Sequence, residues 1–136
     1  MSIEGVLAIA NSALDAQSER ITLIAQNLAN INSVESPSGG PYQRQSPVFE
    51  VAPLQVGDNE IAAGVKLAGV VRENSTKSVY DPSDPLADAS GMISRPSVNR
   101  IYEMVDLMEA SRSYQANLAL IESARTAALD TINLLK

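Results

Sequence analysis

Asp81, Asp84 and Asp88 are the side chains of this sequence best suited to hold a cation, because hard divalent ions are bound by carboxylate oxygens. Their setting argues against a calcium loop. Pro82 and Pro85 displace the ligand spacing, and no Gly stands at the sixth position, where such a loop turns sharply. Gly39 and Gly40 could approach a phosphate, but neither a preceding strand nor a following Lys-Ser/Thr accompanies them. With Cys 0 and His 0, the chain lacks thiol nucleophiles, Ser-His-Asp triads, disulfides and the usual zinc and haem ligands. The expectation is a protein with no catalytic residue, no cofactor and no resident metal.

Charge narrows the partners. Ten Lys and Arg against sixteen Asp and Glu leave a net charge of -6 over 136 residues, which provides no broad positive field for a nucleic acid. Hydrophobic residues make up 45% but aromatics only 4%, so a core would be built from Ala, Leu, Ile and Val, small enough for helices to approach closely. The start, Met1-Ser2-Ile3-Glu4, lacks the basic and apolar blocks of a secretory signal, and no apolar run is long enough for a membrane span. Neither a small-molecule substrate nor a direct membrane span is expected.

The elements that must position any site are marked by periodicity. Ile3, Leu7, Ala10, Leu14, Gln17, Ile21, Ile24, Leu28 and Ile31 alternate in steps of four and three, an unbroken heptad seam with Gln17 its one polar member. This predicts a helix over about 3–30, ending among Asn27, Asn30 and Asn32 because Asn tolerates the left-handed conformation. A second seam runs through Met104, Leu107, Ser111, Tyr114, Leu118, Ile121, Arg125, Ala128, Ile132 and Leu135. Pro96, Ser97 and Asn99 supply its stop-and-cap signal, and Glu103 falls where a carboxylate favours the helix dipole. Residues 42–51 and 65–72 read as strands, with Val65, Leu67, Gly69 and Val71 on one face. Between Tyr80 and Pro85 two prolines enforce a loop.

The expected fold is therefore mainly α with a small β-rich middle segment, the long terminal helices pairing as a coiled-coil-like inner domain. The division is 1–32 for the first helix, 33–96 for the β- and loop-rich middle and 97–136 for the second helix. Pairing the two helices buries one stripe on each and leaves Ile9, Val105 and Leu120 off the seam, so the pattern fits either a plain helical pair on a β unit or a self-assembling chain. Antiparallel pairing of Ile3 with Leu135 would bring Arg125 near residue 13. There it either meets Asp15, with Glu19 the next candidate, or runs its stem along the surface to solvent.

The run from Arg95 through Glu103-Met104-Val105-Asp106 to Tyr114-Gln115-Ala116-Asn117 resembles the bacterial flagellar axial rod and hook family, and within it the basal-body rod subunits. Asn27-Leu28-Ala29-Asn30 is similar to the helix-end signature of that family. Gly39-Gly40-Pro41-Tyr42 with Arg44, and Tyr80-Asp81-Pro82 with Pro85, Ala87-Asp88 and Gly91, extend the likeness across the chain. Asp84, Met92 and Ser97 depart from residues common there.

The resemblance implies a structural subunit of the proximal rod, not an enzyme. It further implies export by the flagellar type III apparatus without a cleaved signal, and assembly in the periplasm with other rod subunits and with its own copies. The alternative is a soluble coiled-coil chaperone or adaptor of a type III secretion system. Expected interface residues on the first helix are Ile3, Leu7, Leu14, Ile21 and Leu28, with Asn27 and Asn30 either bonding a neighbour or capping the helix. On the second they are Met104, Leu107, Tyr114, Gln115, Asn117, Leu118, Ile121, Arg125 and Ile132, Tyr114 serving either the seam or a neighbour.

Overall fold

The computed structural model describes residues 2–37, 39–57 and 60–134. Helix α1, Ile3–Ala29, opens on Ser2, whose Oγ accepts the Gly5 N–H at 3.1 Å. It closes on Asn30, whose Nδ2 donates to the Gln26 carbonyl at 2.9 Å. The stop comes where the Asn run predicts it, by a different device: φ of Asn30 is -103°, outside the left-handed region, and the side chain adds a second bond to the Gln26 carbonyl, which already accepts the Asn30 main-chain N–H at 3.0 Å. Gly39 and Gly40, with φ 83° and 74°, then turn the chain.

Strands β1, Arg44–Val56, and β2, Glu60–Glu73, form one long antiparallel hairpin in register from Arg44 with Glu73 to Val56 with Glu60. Both strands run further than the alternation suggested. Register shifts at Val48 and Phe49, which oppose Gly69 and Leu67, leaving Ala68 as the extra residue of a bulge. Val65, Leu67 and Gly69 are half-buried as expected of one face, whereas Val71 is exposed. A second hairpin, β3 (Thr76–Tyr80) and β4 (Met92–Pro96), was not legible, because five-residue strands holding Lys77, Ser78, Ser94 and Arg95 carry little apolar alternation.

The loop joining β3 to β4 employs all three aspartates itself. The carboxylates of Asp81, Asp84 and Asp88 accept main-chain N–H groups of Ser83, Leu86 and Ser90, and Asp88 also that of Met92. The Ser83 hydroxyl bond, with the Arg95 charge 3.4 Å away, holds the Asp81 carboxyl below the usual carboxylate range.

Asn99 caps helix α2, Arg100–Leu134, its Oδ1 accepting the Ile101 N–H at 2.9 Å. The result is two terminal helices around a middle of two small antiparallel sheets, and no helix among the described residues is long and apolar enough to cross a membrane.

Helix α1 lies along the first hairpin. Ser12 Oγ accepts the Val65 N–H at 3.1 Å near one end, and Asn27 meets the Gln45 main chain near the other. The stretch from Ser12 to Asn27 is about 22 Å of helix. From Ala52, the partner of Gly64, to Gln45 is about 23 Å of strand, so the two elements stay in contact over that length. Gly64 permits the approach, since a Cβ there would stand 2.8 Å from both Leu54 Cγ and Ser12 Oγ. The core is correspondingly small: Ala10, Ala16, Ala52, Ala62 and Ala110, with Leu23, Ile24, Val56, Ile93 and Val98.

α1 and α2 pack antiparallel, Asn27 meeting Glu103 and Arg20 meeting Glu109. This register corrects the expected hairpin. Arg125 stands level with Glu4 and Gly5, about two turns from residue 13, it is exposed, and it forms no ion pair with Asp15 among the described residues. From about residue 128 onward α2 runs past the start of α1; Leu135 lies outside the described residues.

The covered line on α2 is also rotated. Glu103, Leu107, Ala110, Asn117, Ile121, Ala124 and Ala128 are buried or half-buried, while Met104, Leu118 and Arg125, each one position later than a covered residue, are exposed. Small Ala side chains let the helix axes approach, and the hydrogen bonds of Glu103 draw that edge of α2 inward.

Gly64→Ala should cost about 1–3 kcal/mol in urea unfolding, the usual penalty for overpacking. Gly69→Ala in the same strand, where nothing lies within 4 Å of an added Cβ, should change stability by less than about 0.5 kcal/mol.

Candidate assembly interface

The polar residues that hold the three long elements together converge on Asn27 and Glu103, both 0% exposed. The Asn27 amide uses its full capacity inside the chain. Its Nδ2 donates to the Gln45 carbonyl at 2.9 Å and to Glu103 Oε2 at 3.0 Å; its Oδ1 accepts from the Gln45 N–H and the Tyr42 hydroxyl, both at 2.9 Å. The side chain thereby imitates one rung of a β-ladder on the outer edge of β1. In this chain Asn27 therefore follows neither alternative read from the sequence: Asn30 caps the helix, and the Asn27 amide has no group left over for a neighbour.

Glu103 meets Arg44 Nε through its other oxygen, and Arg44 also pairs with Glu73 at 2.8 Å and lies 3.8 Å from Asp106. Arg20 closes the set, 3.6 Å from both Asp106 and Glu109. Burial works against the Arg44 charge, but the hydrogen bond and charge of Glu103 outweigh it, and the guanidinium holds its proton more tightly than usual. Burial also raises the Tyr42 phenol, with the Glu103 charge adding to the effect and the Gln45 hydrogen bond opposing it. Sequence reasoning saw Glu103 only as a dipole partner. Its seven-residue spacing from Ala110 and Asn117, which puts a carboxylate on the inward line, was the signal that could have shown the site.

The apolar seam residues lie beside this contact. On α1, Leu7, Leu14, Ile21 and Leu28 are half-buried and Ile3 is exposed, all on a flank turned about half a circle from Ser12 and hence from the hairpin. On α2, Leu107 and Ile121 are half-buried, and Tyr114, Leu118 (42%) and Ile132 (55%) are exposed. At the helical repeat both flanks open on the side of the helix pair away from the hairpin. Met104 and Gln115 are exposed nearer the outer edge of α2, Asn117 is half-buried on the covered line, and Asn30 is half-buried as the cap of α1.

Two unequal faces thus define the chain: one closed by a buried polar cluster, the other apolar and open along both helices. Residues 89–134 match the family described as flagellar basal body rod FlgEFG protein C-terminal, which places α2 in the class of flagellar rod proteins. The flagellar basal-body rod protein FlgC of Salmonella typhimurium is 42% identical over 135 residues, spanning 98% of each chain. Its namesakes in Buchnera aphidicola subsp. Schizaphis graminum and Agrobacterium fabrum are 37% and 40% identical over 137 and 129 residues, spanning 98% and 94% of this chain and 98% and 91% of theirs. The chain belongs to the family of the flagellar basal-body rod protein FlgC.

Glu103→Ala should destabilise the fold by about 1–3 kcal/mol, because it leaves one N–H of the buried Asn27 amide without an acceptor and takes one of its carboxylates from the half-buried Arg44; chemical denaturation reads this. Tyr42 yields a pH dependence. A phenol raised in the folded chain contributes stability that is whole below its ordinary value of 10.0 and lost as pH climbs through the raised one. Tyr42→Phe should lower stability at pH 8 by about 0.5–1.5 kcal/mol, and the gap from the unaltered chain should shrink in alkali.

Proposed function

We propose that the chain is a structural subunit of the proximal rod of the bacterial flagellar basal body, working by packing rather than catalysis. The observation that carries this reading is the open apolar face along both helices. Ile3, Leu7, Leu14, Ile21 and Leu28 stand beside Leu107, Tyr114, Leu118, Ile121 and Ile132, too large an apolar set to be left to water in a finished assembly. Helices of neighbouring copies and of other rod subunits complete the coiled-coil-like seam that α1 and α2 leave half-covered. Met104, Gln115, Asn117, Arg125 and Asn30 border that contact. Residues 1–32 and 97–136 form the inner tube wall and 33–96 the outer part.

Such a shaft carries torque from motor to hook because many close helix contacts shear together, without a hinge. The chain leaves the cell through the flagellar type III apparatus without a cleaved signal and assembles in the periplasm. A small core, half of it Ala, closed by one polar cluster is compatible with an unfolded passage followed by folding against neighbours.

Leu118→Asp and Ile132→Asp test the reading, since both sites are exposed in the single chain. The purified variants should unfold within about 0.5 kcal/mol of the unaltered chain, yet in the bacterium they should abolish motility and leave basal bodies without a rod in electron micrographs. Normal rods built from either variant would overturn the assignment of that face.

A further inference from the structure

Away from the helix flanks, a cleft of about 350 Å³ lies between the turn that follows α1 and the β3–β4 hairpin. Its bottom is apolar: Ile93 is 4% exposed, and Pro41 and Met92 are half-buried. Leu86 lines the same cleft and is left 54% exposed. Glu35 and Asp88 complete the lining, both exposed, and neither has an ion-pair partner among the described residues. Arg95 goes to Asp81 and Asp84 instead, and Asp88 is held by the neutral main-chain N–H groups of Ser90 and Met92.

This lining fits one kind of occupant. The volume is at the lower end for a pocket, so it admits a side chain and not a helix. A Lys or Arg can lay its apolar stem on Met92, Ile93 and Leu86 while its head meets the two carboxylates. A Leu or Phe would fill the same space but press two unpaired carboxylates into a dry contact. A metal ion would need more ligands, and no group of three suitable side chains exists among the described residues.

The source of that cation is narrowed by this chain's own inventory. Arg20, Arg44, Lys66 and Arg95 already face carboxylates. Arg100, Arg112 and Arg125 stand on α2, in the part assigned to the inner wall, whereas the cleft belongs to the 33–96 segment. Arg72 and Lys77 lie at the same end of the molecule as the cleft, Arg72 beside Gly39 and Tyr42 and Lys77 opposite Arg95. A copy in the same orientation would have to overlap this one to insert them.

We propose that the cleft is a socket for a Lys or Arg side chain of a different rod subunit, with Glu35 and Asp88 meeting its charge. This rests on the rod-subunit reading and adds to it a second contact, carried by the middle segment and directed at an unlike partner. Such a socket selects its neighbour, since a chain presenting an acid there is repelled.

Cross-linking and charge reversal test this. With p-benzoylphenylalanine in place of Leu86, irradiation of isolated basal bodies should attach the chain to another rod subunit, at or next to a Lys or Arg. Glu35→Lys should leave the melting temperature of the purified chain unchanged and cut the number of rods per cell by at least about tenfold, because like charges then meet. Glu35→Gln, which removes the charge without reversing it, should cut them less. Changing the cross-linked Lys or Arg of the partner to Glu should raise the rods of the Glu35→Lys strain at least about threefold. A contact within one chain could not produce that rescue. No adduct, or adducts only on a second copy of this chain or on a segment without a Lys or Arg, would overturn the socket. So would normal rod numbers with Glu35→Lys, or a loss that the partner's change does not relieve. Absence of the unaltered chain from isolated rods would instead overturn the rod-subunit reading.

Discussion

The buried contact between Asn27 and Glu103 is the constraint on which the arrangement of the long elements depends. A carboxylate removed from water is tolerated only when its oxygens are fully engaged, and here they require a residue of α1, Arg44 of β1 and, through Asn27, the main chain of Gln45. Helix, hairpin and second helix must therefore arrive together. The same contact sets the relative level of the helices, and with it which side chains of α2 lie under α1 and which remain outside.

That setting explains an apparent waste of apolar surface. A chain folding for its own stability would place its largest aliphatic residues against one another. Here Ala10, Ala16 and Ala110 occupy the interior, while Leu118, Leu129 and Ile132 stay in solvent. Small interior residues bring the helix axes close, and the larger ones stand at the margins, where a further helix can cover them. Much of the apolar area is thus left uncovered in the single chain, and it is this area that the proposed assembly would bury. The aspartates of the 81–91 loop follow a parallel logic: their oxygens are committed to the loop's own N–H groups and to Arg95, so a segment that looks acidic in sequence is a self-satisfied turn structure.

Local physics left clear marks in the amino-acid order. Apolar steps of three and four from Ile3 to Ile31 announced α1 almost to the residue, since a helix that long without proline has few alternatives, and Asn99 marked the start of α2. The first hairpin showed through its β-branched residues. The β3–β4 pair did not, because its strands are short, polar and held by cross-strand bonds that no periodicity records.

By itself the sequence determined the two terminal helices, the β-rich middle, the absence of thiol and imidazole chemistry and the kinship with rod proteins, because these depend on residue type and spacing along one chain. Only the tertiary structure decided the register of α1 against α2, the rotation that hides Glu103 and Ala110 while exposing Met104 and Leu118, and the role of Asn27 as a rung on β1. Heptad spacing marks a stripe but not which flank of it a partner covers. That choice was made by hydrogen bonds between residues 76 apart in the chain, and by the close approach that alanine allows and leucine does not.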